Sequence, residues 1–212
     1  MGVVGFLLPI LVFFQSRIMD DFDEILPSIS NYYHTSSQDT FVGILCIIAI
    51  TLFVYKGPEK DNRKDRIASF IASMTALGVP FFPTSCVNVP WCIELEPNWT
   101  QYVHVPCAII LFSTFGYIAY ALFTNSGTQV KDRKRVWNDI YVICAWTIWA
   151  SIYAMIAISI GEEIDESYTF QLGAAPPVFV LECIALAAFV ITWLVKGEVV
   201  LRDKPVDIIQ KK

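Results

Sequence analysis

The sequence predicts an all-α integral membrane protein, a single domain built as a bundle of six transmembrane helices with both termini cytoplasmic. Three observations carry that expectation. The chain has 212 residues, of which 55% are hydrophobic and only 17% charged, where a soluble domain carries about a quarter charged. The apolar residues come in long blocks rather than amphipathic stripes. Fourteen of the fifteen basic residues fall in alternate links or the C-terminal tail, and the exception is Arg17.

The expected spans are 2–19, 40–55, 67–82, 105–124, 140–160 and 177–195. Each is close to the ~20 residues that cross a ~30 Å hydrocarbon layer as helix. Helix is the expected form because lipid offers no partner to unpaired backbone groups. The first block lacks the basic start and the small-x-small cleavage site of a secretory signal, and is read as a first span rather than a removed leader. Pro80 and Pro83 break the third helix near its end, while Pro106 fits the first turn of the fourth. Ser69, Ser73, Gly78, Gly116 and Ala119 are small faces for close helix packing.

Lys56, Lys60, Arg63, Lys64 and Arg66 follow the second block, and Lys131, Arg133, Lys134 and Arg135 follow the fourth. Cytoplasmic links carry the basic excess, so these links and the tail are placed inside. The opposite links are acidic, with Asp20, Asp21, Asp23 and Glu24 in the first of them. A formal charge of −5 gives no reason to expect nucleic acid. The expected partners are membrane lipids and, if the chain assembles, further copies as a homo-oligomer. The expected location is a cell membrane, a bacterial inner membrane or a plasma membrane.

Cys86 and Cys92 flank CVNVPWC in the second external link, and a disulfide there is expected on the oxidising side. The other four cysteines lie in apolar blocks, where a thiol behaves as a small hydrophobe. The sequon Asn98-Trp99-Thr100 is a short pattern that arises readily by chance.

With this threading, His34, Asp39, His104 and Glu182 share the outer side. Glu182 falls five or six residues into the last span, ~8 Å below the boundary at 1.5 Å per residue. A carboxylate there is costly unless paired, protonated or wetted, which makes Glu182 the leading candidate acid or base. Each of the others has a plain structural reading as well. Asp39 caps a helix, His34 is a solvated loop residue, His104 is interfacial, and Tyr32 and Tyr33 belong to an aromatic belt. Ser30, Asn31, Tyr32, Tyr33, Asp39 and Glu182 are the candidate lining of a polar ligand pocket. In an alternative reading His34, His104, Asp39 and Glu182 ligate a metal, since two nitrogens and two carboxylates suit zinc or a similar ion.

No phosphate loop, G-x-S-x-G elbow or H-E-x-x-H is present, so no cofactor is assigned. Three functions stay open. The first is a non-enzymatic membrane protein that binds a lipid or small ligand at the outer face. The second is a membrane-embedded metal-dependent hydrolase or transferase, and the third a small channel or transporter.

Ile29-Ser30-Asn31-Tyr32-Tyr33, Asp39-Thr40-Phe41-Val42-Gly43, Tyr55-Lys56-Gly57, Phe81-Phe82-Pro83-Thr84 and Trp193-Leu194-Val195-Lys196-Gly197 form a set. From about Leu26 to Glu198 the chain resembles uncharacterised bacterial multi-span membrane proteins. That resemblance implies the architecture and supplies no activity. Pro27-Ser28-Ile29-Ser30 is similar, more distantly, to the P-x-I-S-like stretch of the six-span Frag/DRAM/Sfk group, which implies a lipid or membrane-trafficking role. The alkaline-ceramidase superfamily binds zinc through an H-x-x-x-H pair, which this chain lacks.

Overall fold

The computed structural model describes residues 2–21, 23–55, 63–85, 99–124, 131–164 and 175–197, without the side chains of 131–134. Helix α1 spans Gly2–Met19, α2 Gln38–Val54, α3 Arg63–Phe81, α4 Thr100–Tyr117, α5 Lys131–Ile164 and α6 Pro177–Lys196. A short 3-10 helix, Ile29–His34, lies between α1 and α2, and α4 runs on as a π-helical segment, Ile118–Phe123.

The structure does not form the expected bundle of six transmembrane helices. Among the described residues there are seven helices, with α4 and its π segment counted as one. Four are long and apolar enough to cross a membrane: Gly2–Met19, Thr100–Phe123, Arg135–Ile164 and Pro177–Lys196. The other two α-helices fall short for physical reasons. α2 has 17 residues, about 25 Å at 1.5 Å each, less than the ~30 Å hydrocarbon core. α3 spends its first turn on Arg63, Lys64, Asp65 and Arg66. The placing of both termini in the cytoplasm rested on that six-span threading and is withdrawn with it, although the start of α1 and the end of α6 share one end of the bundle. The expected disulfide is corrected too. No disulfide is found among the described residues, whose Cys46, Cys107, Cys144 and Cys183 are free thiols. Cys86 and Cys92 themselves lie outside the described residues.

The α-helices pack as a ring. Each touches its chain neighbours, and α1 closes the circle against α6. A Cβ on Gly2 would meet the Leu194 side chain at 3.0 Å and one on Gly5 would meet Val190 at 3.3 Å. The start of α1 therefore lies against the end of α6. His104, early in α4, likewise reaches Val79 and Phe82 at the end of α3. Successive helices thus run in opposite directions. One end of the ring, the cap end, carries the 3-10 helix. The other, the basic end, carries Arg63, Lys64, Arg66, Arg135 and Lys196.

Aromatic rings fill the basic half of the core. Phe115 stacks on Phe189 with centroids 3.6 Å apart. Phe189 meets Trp193, which touches both Phe123 and Tyr55, and Phe123 packs edge-on to Tyr141. Such pairs add about 0.5–1.5 kcal/mol each beyond the area they bury. Burial pushes the Tyr55 hydroxyl up to about 12, and nearby Asp65 acts in the same direction. Along α3, Ala68, Ala72 and Ala76 recur every fourth residue and are buried. They let α3 approach its neighbours closely enough for Ser73 Oγ to donate to Ala49 O at 2.8 Å. Large apolar side chains such as Phe53, Phe70, Ile143 and Tyr153 point outward. A chain with this surface and four spanning helices is a polytopic all-α membrane protein.

The contact of α4 with α5 depends on a missing side chain. A Cβ at Gly116 would stand 2.5 Å from Trp149 Nε1, whose N–H donates to Ser113 O at 3.4 Å. Gly116→Ala is expected to push the indole aside and lower stability by about 1–2 kcal/mol. Thermal unfolding in detergent checks it, with Gly43→Ala as the control, since a Cβ at Gly43 meets nothing within 4 Å.

Candidate functional site

The polar segment between α1 and α2 forms a roof over the cap end. Its local fold is written in its own hydrogen bonds. Ser28 Oγ accepts from the Asn31 N–H at 3.2 Å and donates to Asn31 Oδ1 at 2.7 Å, so Ser28 caps the 3-10 helix that follows. Tyr32 is 1% exposed, and its hydroxyl accepts from the Leu26 N–H at 3.4 Å. Burial raises the pKa of that hydroxyl, with the Leu26 amide opposing, so it remains a neutral phenol. Thr35 Oγ1 donates to Tyr32 O at 2.8 Å and accepts from the Ser37 N–H at 3.1 Å.

Three sets of contacts tie the roof to the ring. To α1, Ser37 Oγ donates to Val12 O at 2.7 Å, and Gln15 bridges Ser36 O and Thr40 Oγ1. Asp20 Oδ2 takes three donors: Ser16 Oγ, Ser36 N and Ser36 Oγ. To α6, the Ile29 N–H donates to Glu182 Oε2 at 2.5 Å. That amide opens the first turn of the 3-10 helix and has no partner within it. Glu182 is thus the tether of the roof to α6.

The third set joins the turn that ends α3, and it accounts for both histidines. Pro83 carries no N–H, so Val79 O loses the donor four residues on. The His104 ring supplies the replacement. Its Nδ1 lies 3.0 Å from Val79 O and 2.9 Å from Phe82 O. Carbonyls accept only, so Nδ1 carries the proton. His34 Nε2 lies 2.8 Å from Thr84 O and donates in the same way, and Asn31 Nδ2 donates to Ser85 O at 3.4 Å.

The sequence-predicted residues therefore divide. His34 and His104 converge on the same turn, and Glu182 meets the roof at Ile29. Ser30, Asn31 and Tyr32 are buried, while Tyr33 is half-buried with its ring edge-on to His34 and Phe41. Asp39 is exposed in the first turn of α2, where its charge suits the helix N-terminus. Among the described residues no three His, Cys, Asp or Glu side chains come close enough to hold a metal ion. Sequence reading overlooked Gln15, Asp20, Thr35 and Ser37. Their signal was the run of short polar side chains beside a helix start.

Beside the roof, between α1 and α6, lies a groove of about 450 Å³. Its walls are apolar: Gly5, Pro9 and Phe13 from α1, Ile25 from the roof, and Phe179 and Cys183 from α6. Gly5 brings no side chain into it and Cys183 only a small one. Compared with protein-family models, curated proteins and solved structures, the chain matches none.

Proposed function

We propose that the protein is a non-enzymatic lipid-binding membrane protein that seats an acyl chain in the groove between α1 and α6. The single observation behind this reading is that groove, about 450 Å³ with an apolar lining, on the lipid-facing side of two spanning helices. Its volume lies within the ~300–1,000 Å³ of small-molecule sites. The polar roof bounds it at one end. The roof's own donors and acceptors are engaged with each other and with the ring, so the roof shapes the site and the apolar walls do the binding. A headgroup would rest at the roof's rim, beside Arg17 and its ion-pair partner Asp23 at 2.8 Å.

The test uses the full chain in nanodiscs that carry a phospholipid with a photoactivatable acyl chain. Crosslinks are expected to concentrate on the α1 and α6 peptides. Ala187→Trp fills the groove from α6 and is expected to cut the α1 crosslinks several-fold. Uniform labelling around the ring, unchanged by Ala187→Trp, would overturn the proposal.

A further inference from the structure

A second groove, of about 460 Å³, lies between α3 and α4. It sits across the ring from the α1–α6 seam, in the basic half rather than the cap half. Ile67 and Ile71 form its α3 wall, and Ile110, Thr114 and Tyr117 its α4 wall. Lys64 stands at its end. The register follows from helix geometry. Lys64, Ile67 and Ile71 recur at i, i+3 and i+7, one face of α3. Ile110, Thr114 and Tyr117 recur at i, i+4 and i+7 on α4. The two helices run in opposite directions, and the contact of Gly78 with Cys107 sets Tyr117 level with Ala68, about one turn short of Lys64. The groove is therefore mostly apolar for about 10 Å along α3 and then meets a cation.

Arg63 adds a second charge. It precedes Ile67 by one turn on the same face, and both Arg63 and Lys64 are exposed. The chain as a whole carries a formal −5, so this local positive charge opposes the sign of the molecule. An apolar trough that ends at two cations complements one kind of molecule in a bilayer, a lipid with a negatively charged headgroup. A neutral or zwitterionic lipid fills the trough equally well but gains less at its end.

We propose that the α3–α4 groove is a binding site for an anionic phospholipid. The acyl chain lies along Ile67, Ile71 and Ile110, and the phosphate is held by Lys64 and Arg63. The site draws on a different pair of helices from the α1–α6 groove and does not depend on a lipid binding there. The two grooves open toward opposite leaflets.

The experiment places the full chain in nanodiscs of mixed phosphatidylcholine and phosphatidylglycerol with matched acyl chains. Native mass spectrometry then reads which lipids remain bound on release. Wild type is expected to retain phosphatidylglycerol above its share of the bilayer. A basic side chain near an anionic surface is worth about fivefold in affinity, so Arg63→Gln with Lys64→Gln is expected to lower retention by about tenfold or more. Both side chains are exposed, so the fold should tolerate the change, and circular dichroism confirms it. Ser113→Phe fills the groove from α4 and is expected to reduce retention of both lipids. Arg135→Gln removes one charge from the same end on another helix and is expected to leave the preference intact. Retention in proportion to the bilayer, or an equal loss in Arg135→Gln and in the Arg63/Lys64 double variant, would overturn the site.

Discussion

His104→Leu is expected to destabilise the protein by about 2–5 kcal/mol, the largest effect of any single change considered. The ring is 5% exposed, and its one N–H serves two carbonyls, Val79 O and Phe82 O. Leucine keeps most of the volume and removes the donor. Each buried acceptor left bare costs about 1–3 kcal/mol, and water is scarce at this position. Denaturant titration in mild detergent measures the loss. A double-mutant cycle identifies the cause. Pro83→Ala returns an N–H four residues after Val79, where Phe82 N already bonds to Gly78 O at 3.0 Å. Pro83→Ala should therefore recover about 1 kcal/mol in the His104→Leu background and much less in wild type. Additive effects would show that His104 does not stand in for the missing amide, and a neutral His104→Leu would remove its structural role altogether.

Glu182→Leu is expected to cost about 2–3 kcal/mol, and to do so locally. The carboxyl oxygen accepts from the Ile29 N–H at the start of the 3-10 helix, and a buried donor left without its partner costs about 1–3 kcal/mol. Without it that amide loses its partner and the roof loses its tie to α6. Hydrogen exchange over residues 28–34 should quicken by one to two orders of magnitude, about 1.4 kcal/mol per tenfold, while α3 exchanges as before. Glu182→Gln keeps an oxygen at the same reach and should cost about 1 kcal/mol or less. The order of the two variants is decisive. A tether tolerates glutamine far better than leucine, whereas a group that moves a proton loses its role in both. Equal protection of the roof in wild type and Glu182→Leu would disprove the tether.

Several features were legible before any coordinates. Each of the six apolar blocks forms a helix, save the last residues Tyr55, Phe82 and Thr124, because an apolar run this long leaves its backbone little alternative away from water. The unusual position of Glu182 was also legible, since its depth follows from counting residues after Pro177. Its partner was not, because Ile29 lies 153 residues away and no spacing rule connects them. His104 shows the same limit from the other side. The need for a donor was present in the sequence, as a proline four residues after Val79. Which side chain would meet that need was decided by how α3 and α4 pack. Span counting failed at α3 because Arg63, Lys64 and Arg66 were read as link when they form its first turn. It failed at α2 because that helix stops at Val54, before its length reaches that of a bilayer.

Closure of α1 against α6 has a consequence for biosynthesis. Helix α1 leaves the ribosome well before its partner α6, and 157 residues separate Met19 from Pro177. At about 5–20 residues per second, α1 waits on the order of 10–30 s for α6 with its Gly2 and Gly5 face uncovered. Whatever occupies that face in the interval, a lipid or an insertion chaperone, must leave when α6 arrives.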